Sequence, residues 1–314
     1  MIVSASRRTD IPRYYLEWLI NRFDEGFALV RNPVSRSQVS RVPLDGASVD
    51  CIAFWTKDPA PLLAGVERLK RAAPAPFFVQ FTLNAYGADV EPGLPRKARL
   101  IETFQGLSRA IGPERVVWRY SPILVGGRYT IEHHLHCFEA IADRLQGCTA
   151  ACRLSFLDVY PKIARRMAAL GLGDVPAKQK GPLALRLAEL GAARGIAVGG
   201  CGDEALDDAG LARSGCIDAG LVARVAGVDA GAPRGADGRG ACRCAPSVDV
   251  GSYDTCAHGC AYCYANPGAP LQGTPWRRRR YDPAAPMLCD GLRPGDMVCD
   301  RAMPKLPPSQ LRLF

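Results

Sequence analysis

The stretch Cys51-Ile-Ala-Phe-Trp-Thr-Lys-Asp-Pro-Ala-Pro-Leu-Leu-Ala-Gly-Val-Glu-Arg-Leu-Lys-Arg-Ala-Ala-Pro-Ala-Pro-Phe-Phe-Val-Gln-Phe-Thr82 sets the architecture. Cys51–Trp55 is a short apolar run of strand length. Leu62, Leu63, Val66 and Leu69 then fall on one face of a helix over Pro61–Ala72, and Pro59 and Pro61 suit its first turn. Phe77–Thr82 is a second β-prone run. Strand, helix, strand in this order is a βαβ unit, whose strands lie parallel.

The alternation continues outward in both directions. Strands are predicted at Ile2–Ala5, Val116–Arg119, Arg153–Leu157, Ile196–Gly199 and Val248–Gly251. Helices are predicted over Tyr14–Glu25, Lys97–Ile111, Ile131–Leu145 with Thr130 as N-cap, and Pro182–Arg194. The chain therefore reads as α/β, a parallel (β/α) barrel or partial barrel, with a doubly wound open sheet as the alternative. The barrel body is expected over 1–225. A cysteine-rich cluster loop and a C-terminal tail packed on the barrel are expected over 226–314. Residues 226–241 are rich in Gly and Ala and read as a connection, and residues 264–314, with nine prolines, as an irregular tail.

The chain has 314 residues, 48% hydrophobic and 23% charged, the balance of a globular protein with a full core. No apolar run approaches the roughly 18 residues of a membrane span, and no secretory signal opens the chain, so a cytoplasmic protein is expected. In a reducing compartment its 13 cysteines are not a disulfide framework. Seven of them fall between Cys201 and Cys263, which points to metal or iron–sulfur ligation. The net charge of +9 suits an anionic partner or substrate.

Polar residues follow the predicted strands: Arg7, Arg8 and Asp10 after the first, Lys57 and Asp58 after the second, then Gln80, Thr82 and Asn84, Arg119 and Tyr120, and Asp158, Tyr160 and Lys162. In a parallel fold the C-terminal strand ends surround the ligand site. Arg7, Arg8, Asp10, Lys57, Arg119 and Lys162 are therefore the candidate catalytic or substrate-binding residues.

The densest chemistry lies in Cys256-Ala-His-Gly-Cys260-Ala-Tyr-Cys263-Tyr264-Ala265. Three thiolates spaced four and three apart are natural ligands for three irons of a [4Fe–4S] cluster, leaving the fourth iron open. The same spacing lies on one helix face, so inert packing is an alternative. Zinc with Cys244, Cys289 or Cys299 as fourth ligand is another, and a redox or disulfide role a third. Cys201, Cys216, Cys242 and Cys244 can form a second site, an iron–sulfur cluster or a thiolate zinc centre. His133, His134 and His136 share a predicted helix without a carboxylate-rich partner and read as packing or solvent residues. His258, inside the cysteine loop, reads as a residue that caps it. Arg277–Arg280, between Trp276 and Tyr281, suit a nucleic-acid backbone or a solvated face.

The Cys-x3-Cys-x2-Cys spacing, with Tyr262 before the last cysteine, resembles the signature of radical S-adenosylmethionine (SAM) enzymes. The longer string from Cys256 to Ala265 resembles the branch that includes spore photoproduct lyase. The whole chain is also similar to an uncharacterised bacterial domain-of-unknown-function family with this motif at its C-terminal end. Ser4–Pro12, Phe54–Lys57, Trp118–Pro122, Ser155–Asp158 and Cys216–Asp218 carry that wider likeness. The resemblance implies that Cys256, Cys260 and Cys263 ligate the cluster, that its open iron takes the amino and carboxylate groups of SAM, and that Tyr262 packs near the adenine. Reductive cleavage of SAM would then generate a radical that abstracts hydrogen from a substrate, with electrons from a donor such as flavodoxin or ferredoxin. Nucleic acid, through lesion repair or base modification, is the alternative substrate. A non-enzymatic iron–sulfur or zinc protein that senses redox state or binds nucleic acid is the alternative function. Two features depart from the superfamily. The motif lies near the C-terminus, which predicts a circular permutation with Val248–Gly251 pairing beside Ile2–Ala5. The Gly-Gly-Glu motif has only a partial echo in Gly199-Gly200-Cys201.

Overall fold

The computed structural model describes residues 1–231, 242–266, 281–301 and 304–309. In chain order the elements are β1 (Ile2–Ala5), α1 (Ile11–Tyr14), α2 (Leu16–Asp24), β2 (Phe27–Arg31), β3 (Gln38–Pro43), β4 (Cys51–Thr56), α3 (Ala60–Ala64), α4 (Val66–Ala72), β5 (Phe77–Thr82), α5 (Lys97–Ile111), β6 (Val116–Ile123), α6 (Ile131–Leu145), β7 (Ala151–Phe156), α7 (Pro161–Ala169), α8 (Ala177–Ala192), β8 (Ala197–Gly200), α9 (Glu204–Asp208), α10 (Ala219–Ala226), β9 (Ser247–Asp249) and β10 (Met297–Asp300).

Seven strands form one parallel sheet in the order β8-β7-β6-β5-β4-β1-β9. From β4 to β8 each strand is laid beside the one before it, always in the same direction. Right-handed crossovers then put the connecting helices on one face, whereas a doubly wound sheet would reverse direction and cover both faces in this way. The last strand of this sheet in the chain, β9, is the neighbour of the first, with Ile2 opposite Ser247 and Ser4 opposite Asp249. The sheet has two edges, β8 and β9.

Side chains alternate between its faces. Val3, Phe54, Val79, Phe81, Trp118 and Leu154 pack with Leu62, Phe104, Phe138 and Leu187 of the helices in the main core. Ile2, Cys51, Ala53, Trp55, Phe78 and Val117 form a second core with Ile217, Leu221, Val222 and Val225. Helix α10 thus covers the second face. Asp218 caps its N-terminus by accepting from the Leu221 amide at 2.8 Å, and Gly227 ends it at φ 68°.

The predicted helix over Tyr14–Glu25 divides at Tyr15, because Asp10 caps a separate first turn by accepting from the Arg13 amide at 3.0 Å. The helix over Pro61–Ala72 is likewise two, joined at Gly65. The β2–β3 pair is antiparallel, and β10 adds to β3 in parallel. Part of the C-terminal tail expected to be irregular is therefore a strand. Residues before it bind α2: Trp18, Asn21 and Arg22 donate to the carbonyls of Ala285, Pro283 and Ala284.

His134 of α6 is a core residue, fully buried. Its Nε2 lies 2.7 Å from the Leu124 carbonyl, which can only accept, so Nε2 carries the proton. Nδ1 then accepts from the Tyr120 hydroxyl at 2.8 Å. Burial lowers its pKa from 6.5 to about 4, against the carbonyl that favours the charged form. The unfolded chain takes up this proton first as the pH falls. The stability tied to His134 is therefore complete above pH ~6.5 and lost progressively toward pH ~4, amounting to about 3 kcal/mol. Denaturant unfolding between pH 7 and 4.5 is expected to show a steeper loss for the wild type than for His134→Gln. Equal pH dependence of the two proteins would refute the assignment.

Candidate functional site

Parallel strands release their following loops at one edge, and here those loops wall a single cavity of about 270 Å³. Arg7, Arg8 and Asp10 come from the loop after β1 and Lys57 from that after β4. Arg119 comes from β6 itself, and Cys201 follows β8. Cys256, Cys260 and Cys263 come from the loop after β9.

The junction of β9 with β1 sets this rim. Asp249 accepts from Ser4 Oγ at 2.8 Å, Ser6 Oγ at 2.6 Å, the Arg7 amide at 2.8 Å and the Gly251 amide at 3.0 Å. A Cβ at position 251 would lie 2.0 Å from Ser6 Oγ, so only glycine permits the approach.

The cysteine loop is fastened by backbone and side-chain bonds from several strand ends. His258 Nε2 donates to Asp10 Oδ2 at 2.8 Å, and the same oxygen accepts from the Lys57 amide at 2.8 Å. His258 Nδ1 lies 3.0 Å from the Tyr14 hydroxyl. The Gly93 amide donates to the His258 carbonyl at 2.9 Å, where a Cβ would stand 2.6 Å from that oxygen. Asn266 Oδ1 accepts from the Cys256 amide at 3.0 Å, and Asn266 Nδ2 lies 3.4 Å from Cys263 Sγ. Cys260 is buried, and Cys256 and Cys263 are half-buried. Burial pushes the Cys260 thiol up to about 12 against the nearby Lys57 ammonium. Burial, then Asp10 and the other two cysteines, raises that of Cys256.

Beneath this loop lies a buried carboxylate. Glu91 accepts from Lys57 Nζ at 2.9 Å, Lys97 Nζ at 2.6 Å and the Tyr262 hydroxyl. Burial alone would raise its pKa, but Lys57 and Lys97 outweigh it and bring it down to about 2. Lys57 Nζ also stands 5.2 Å from the Tyr262 ring centroid, and Asn84 Nδ2 donates to the Tyr262 hydroxyl at 3.1 Å. On another part of the wall, the guanidinium groups of Arg7 and Arg119 lie 5.1 and 5.0 Å from the Trp55 ring centroid.

A second cysteine group shares the cavity. The sulfurs of Cys201, Cys216 and Cys244 lie within 4.8 Å of one another, with Cys201 and Cys216 3.1 Å apart. Cys242 is buried beside them, a free thiol hydrogen-bonded to Cys244.

Five of the six candidate strand-end residues line the cavity: Arg7, Arg8, Asp10, Lys57 and Arg119. Lys162, expected among them, does not line it. It is exposed in the first turn of α7 and faces an adjoining depression of about 580 Å³. Gly199 and Gly200 serve packing, since a Cβ at either would strike Ser214 Oγ at 2.5 Å or Leu206 Cβ at 2.7 Å. His258 braces its loop, as its position suggests. Arg277–Arg280 lie outside the described residues. Glu91, Asp249, Asn266 and Trp55 are absent from the sequence-based candidates. Asp249 alone carries a local signal, a carboxylate inside an apolar strand. The role of Glu91 depends on lysines and a tyrosine brought from elsewhere in the chain.

The family model described as Domain of unknown function (DUF1848) matches residues 2–265. The chain belongs to the DUF1848 family. The match bears out the wider likeness carried by Ser4–Pro12 and the other segments. In this DUF1848 chain it spans from β1 through the Cys256–Cys263 loop and so contains the cavity wall described above except Asn266, while β10 lies beyond it. No curated protein and no solved structure gives a significant match.

Proposed function

We propose that this protein is a radical SAM enzyme whose cluster is held by Cys256, Cys260 and Cys263. The observation that carries the reading is the position of these three thiols: one short loop presents them to a cavity whose other walls include the C-terminal ends or following loops of six strands of the same sheet. The donor set fits a [4Fe–4S] cluster. It offers three soft sulfurs from eight residues, on a loop whose backbone is bonded to Asn266, Gly93 and Val90. Burial keeps Cys256 and Cys260 protonated on their own, so they become thiolates by binding a cationic centre.

When bound and reduced, the cluster would supply one electron to the sulfonium of SAM, breaking a carbon–sulfur bond and setting up hydrogen abstraction. The protein's part is orientation, charge and exclusion of water. Asp10, through His258 and the Lys57 amide, holds the cysteine loop against the β1 and β4 loops. Arg7, Arg8 and Arg119 supply positive charge for the SAM carboxylate or an anionic substrate. Tyr262, with its hydroxyl tied to Glu91 and Asn84, presents a fixed ring to the cavity for stacking against the adenine. A flavodoxin or ferredoxin is the expected class of electron donor.

Anaerobic reconstitution with iron and sulfide, followed by SAM and a low-potential reductant, tests the reading. About four irons and four sulfides in the Cys256–Cys263 site, and release of 5′-deoxyadenosine and methionine, are expected. Protein that binds the cluster but leaves SAM intact would contradict the enzyme reading and favour a redox-sensing or electron-transfer role.

A further inference from the structure

The second cysteine group draws its ligands from three parts of the chain. Cys201 follows β8, Cys216 stands ahead of α10, and Cys242 and Cys244 precede β9. The last two segments are brought together by their backbones. The Ala245 amide donates to the Ile217 carbonyl at 2.9 Å. A Cβ at Gly215, beside Cys216, would stand 2.5 Å from the carbonyl oxygen of Arg243, the residue between Cys242 and Cys244. Only glycine allows this approach, and its result is to deliver the Cys216 and Cys244 sulfurs to one point.

The sulfurs of Cys201, Cys216 and Cys244 are mutually within 4.8 Å. With Zn–S bonds of about 2.3 Å, the sulfurs of a tetrahedral thiolate centre lie about 3.8 Å apart. Thiolates on separate irons of a cluster must stand further apart, because iron and sulfide atoms lie between them. A disulfide would draw two sulfurs to about 2.05 Å and leave the third without a role. The surroundings suit an anionic centre. The Ile217 amide donates to Cys244 Sγ at 3.5 Å, the Arg119 guanidinium bonds to Cys216, and Arg119 Nε is buried without a hydrogen-bond partner.

We infer that Cys201, Cys216 and Cys244, with Cys242 as fourth ligand, bind a single tetrahedral divalent ion, zinc by the softness of its four thiolates, on the wall of the same cavity. Zinc with four thiolates carries a charge of about −2, which Arg119 and the nearby Arg7 oppose. Such an ion links the segment after β8 to the segment before β9, the two edges of the sheet, and clasps α10 across its second face. The inference goes beyond the radical SAM reading and does not rest on it.

The test uses the full chain with Cys256, Cys260 and Cys263 replaced by Ala, so that the two sites are read separately. Purified anaerobically, this variant is expected to retain one equivalent of zinc. Cobalt(II) in its place should give tetrahedral d–d bands and an intense thiolate-to-cobalt absorption. Further replacement of Cys201, Cys216 and Cys244 by Ser should remove both metal and absorption, and Cys242→Ser alone should shift the charge-transfer band. Because the cobalt spectrum is taken on a protein with all four ligands intact, the result does not depend on the Ser variants folding. A metal-free protein, iron with stoichiometric sulfide in the triple-Ala variant, or a Cys201–Cys216 disulfide in thiol titration would overturn the inference.

Discussion

Simultaneous replacement of Cys256, Cys260 and Cys263 by Ala is expected to remove all cluster iron and sulfide and to reduce reductive SAM cleavage to background. The loop itself should persist. Its anchors are the Cys256 amide on Asn266, the His258 ring on Asp10 and the Gly93 amide on the His258 carbonyl, and none of these uses a cysteine sulfur. The far-ultraviolet circular dichroism and the zinc content should therefore match the wild type. Iron and sulfide retained by the triple variant would show that other residues hold the cluster. Normal SAM cleavage without the cluster would remove the basis of the proposed reaction.

The second large effect is expected at Glu91. Its carboxylate is almost fully buried and binds two ammonium groups and a phenol. Glu91→Gln leaves Lys57 and Lys97 facing each other without a counter-charge. Removing one partner of a buried ion pair costs roughly 3–5 kcal/mol, because the remaining charge stays desolvated. The expected loss here is about 3 kcal/mol, since Lys97 keeps part of its solvation. Tyr262 loses its strongest acceptor in the same step, so the cavity wall loosens together with the core beneath it. Glu102, exposed and paired with Arg99, provides the control, and Glu102→Gln should change stability by less than about 0.5 kcal/mol. The linkage has a definite sign. The Glu91 pKa is depressed in the folded protein, so its contribution is present above pH ~4.5 and lost as the pH falls through ~2. Urea unfolding at neutral pH and at pH 3 measures both effects. A Glu91→Gln protein as stable as the Glu102→Gln control would show that the lysines find other partners or water.

The strands that build the sheet were legible because each is a short apolar run next to a strongly periodic helix. Ile2–Ala5, Phe77–Thr82, Lys97–Ile111 and Ile131–Leu145 lie where their residues predict them. The β2–β3 pair was not legible. Its strands are short and do not alternate cleanly, since Val39 and Val42 in β3, three residues apart, are buried on opposite faces, and no helix alternates with them. Helix α10 escaped notice for a related reason: eight residues are too few to establish a period, and its place depends on the sheet face it covers.

The sequence by itself determined where the thiols of this protein gather, three within eight residues and four more upstream, because covalent spacing brings the first three together in any fold. It also determined that the strands of the seven-stranded sheet run parallel, since each βαβ unit returns the chain in the same direction. Only the tertiary structure decided that Glu91 serves two lysines, that Lys162 lines the adjoining depression and not the cavity, and that Cys201, Cys216 and Cys244 meet at one point. Such encounters bring together residues from separate strands and loops. They depend on which strands become neighbours and on where a missing Cβ, as at Gly215, lets two backbones touch. Local residue patterns carry no record of either.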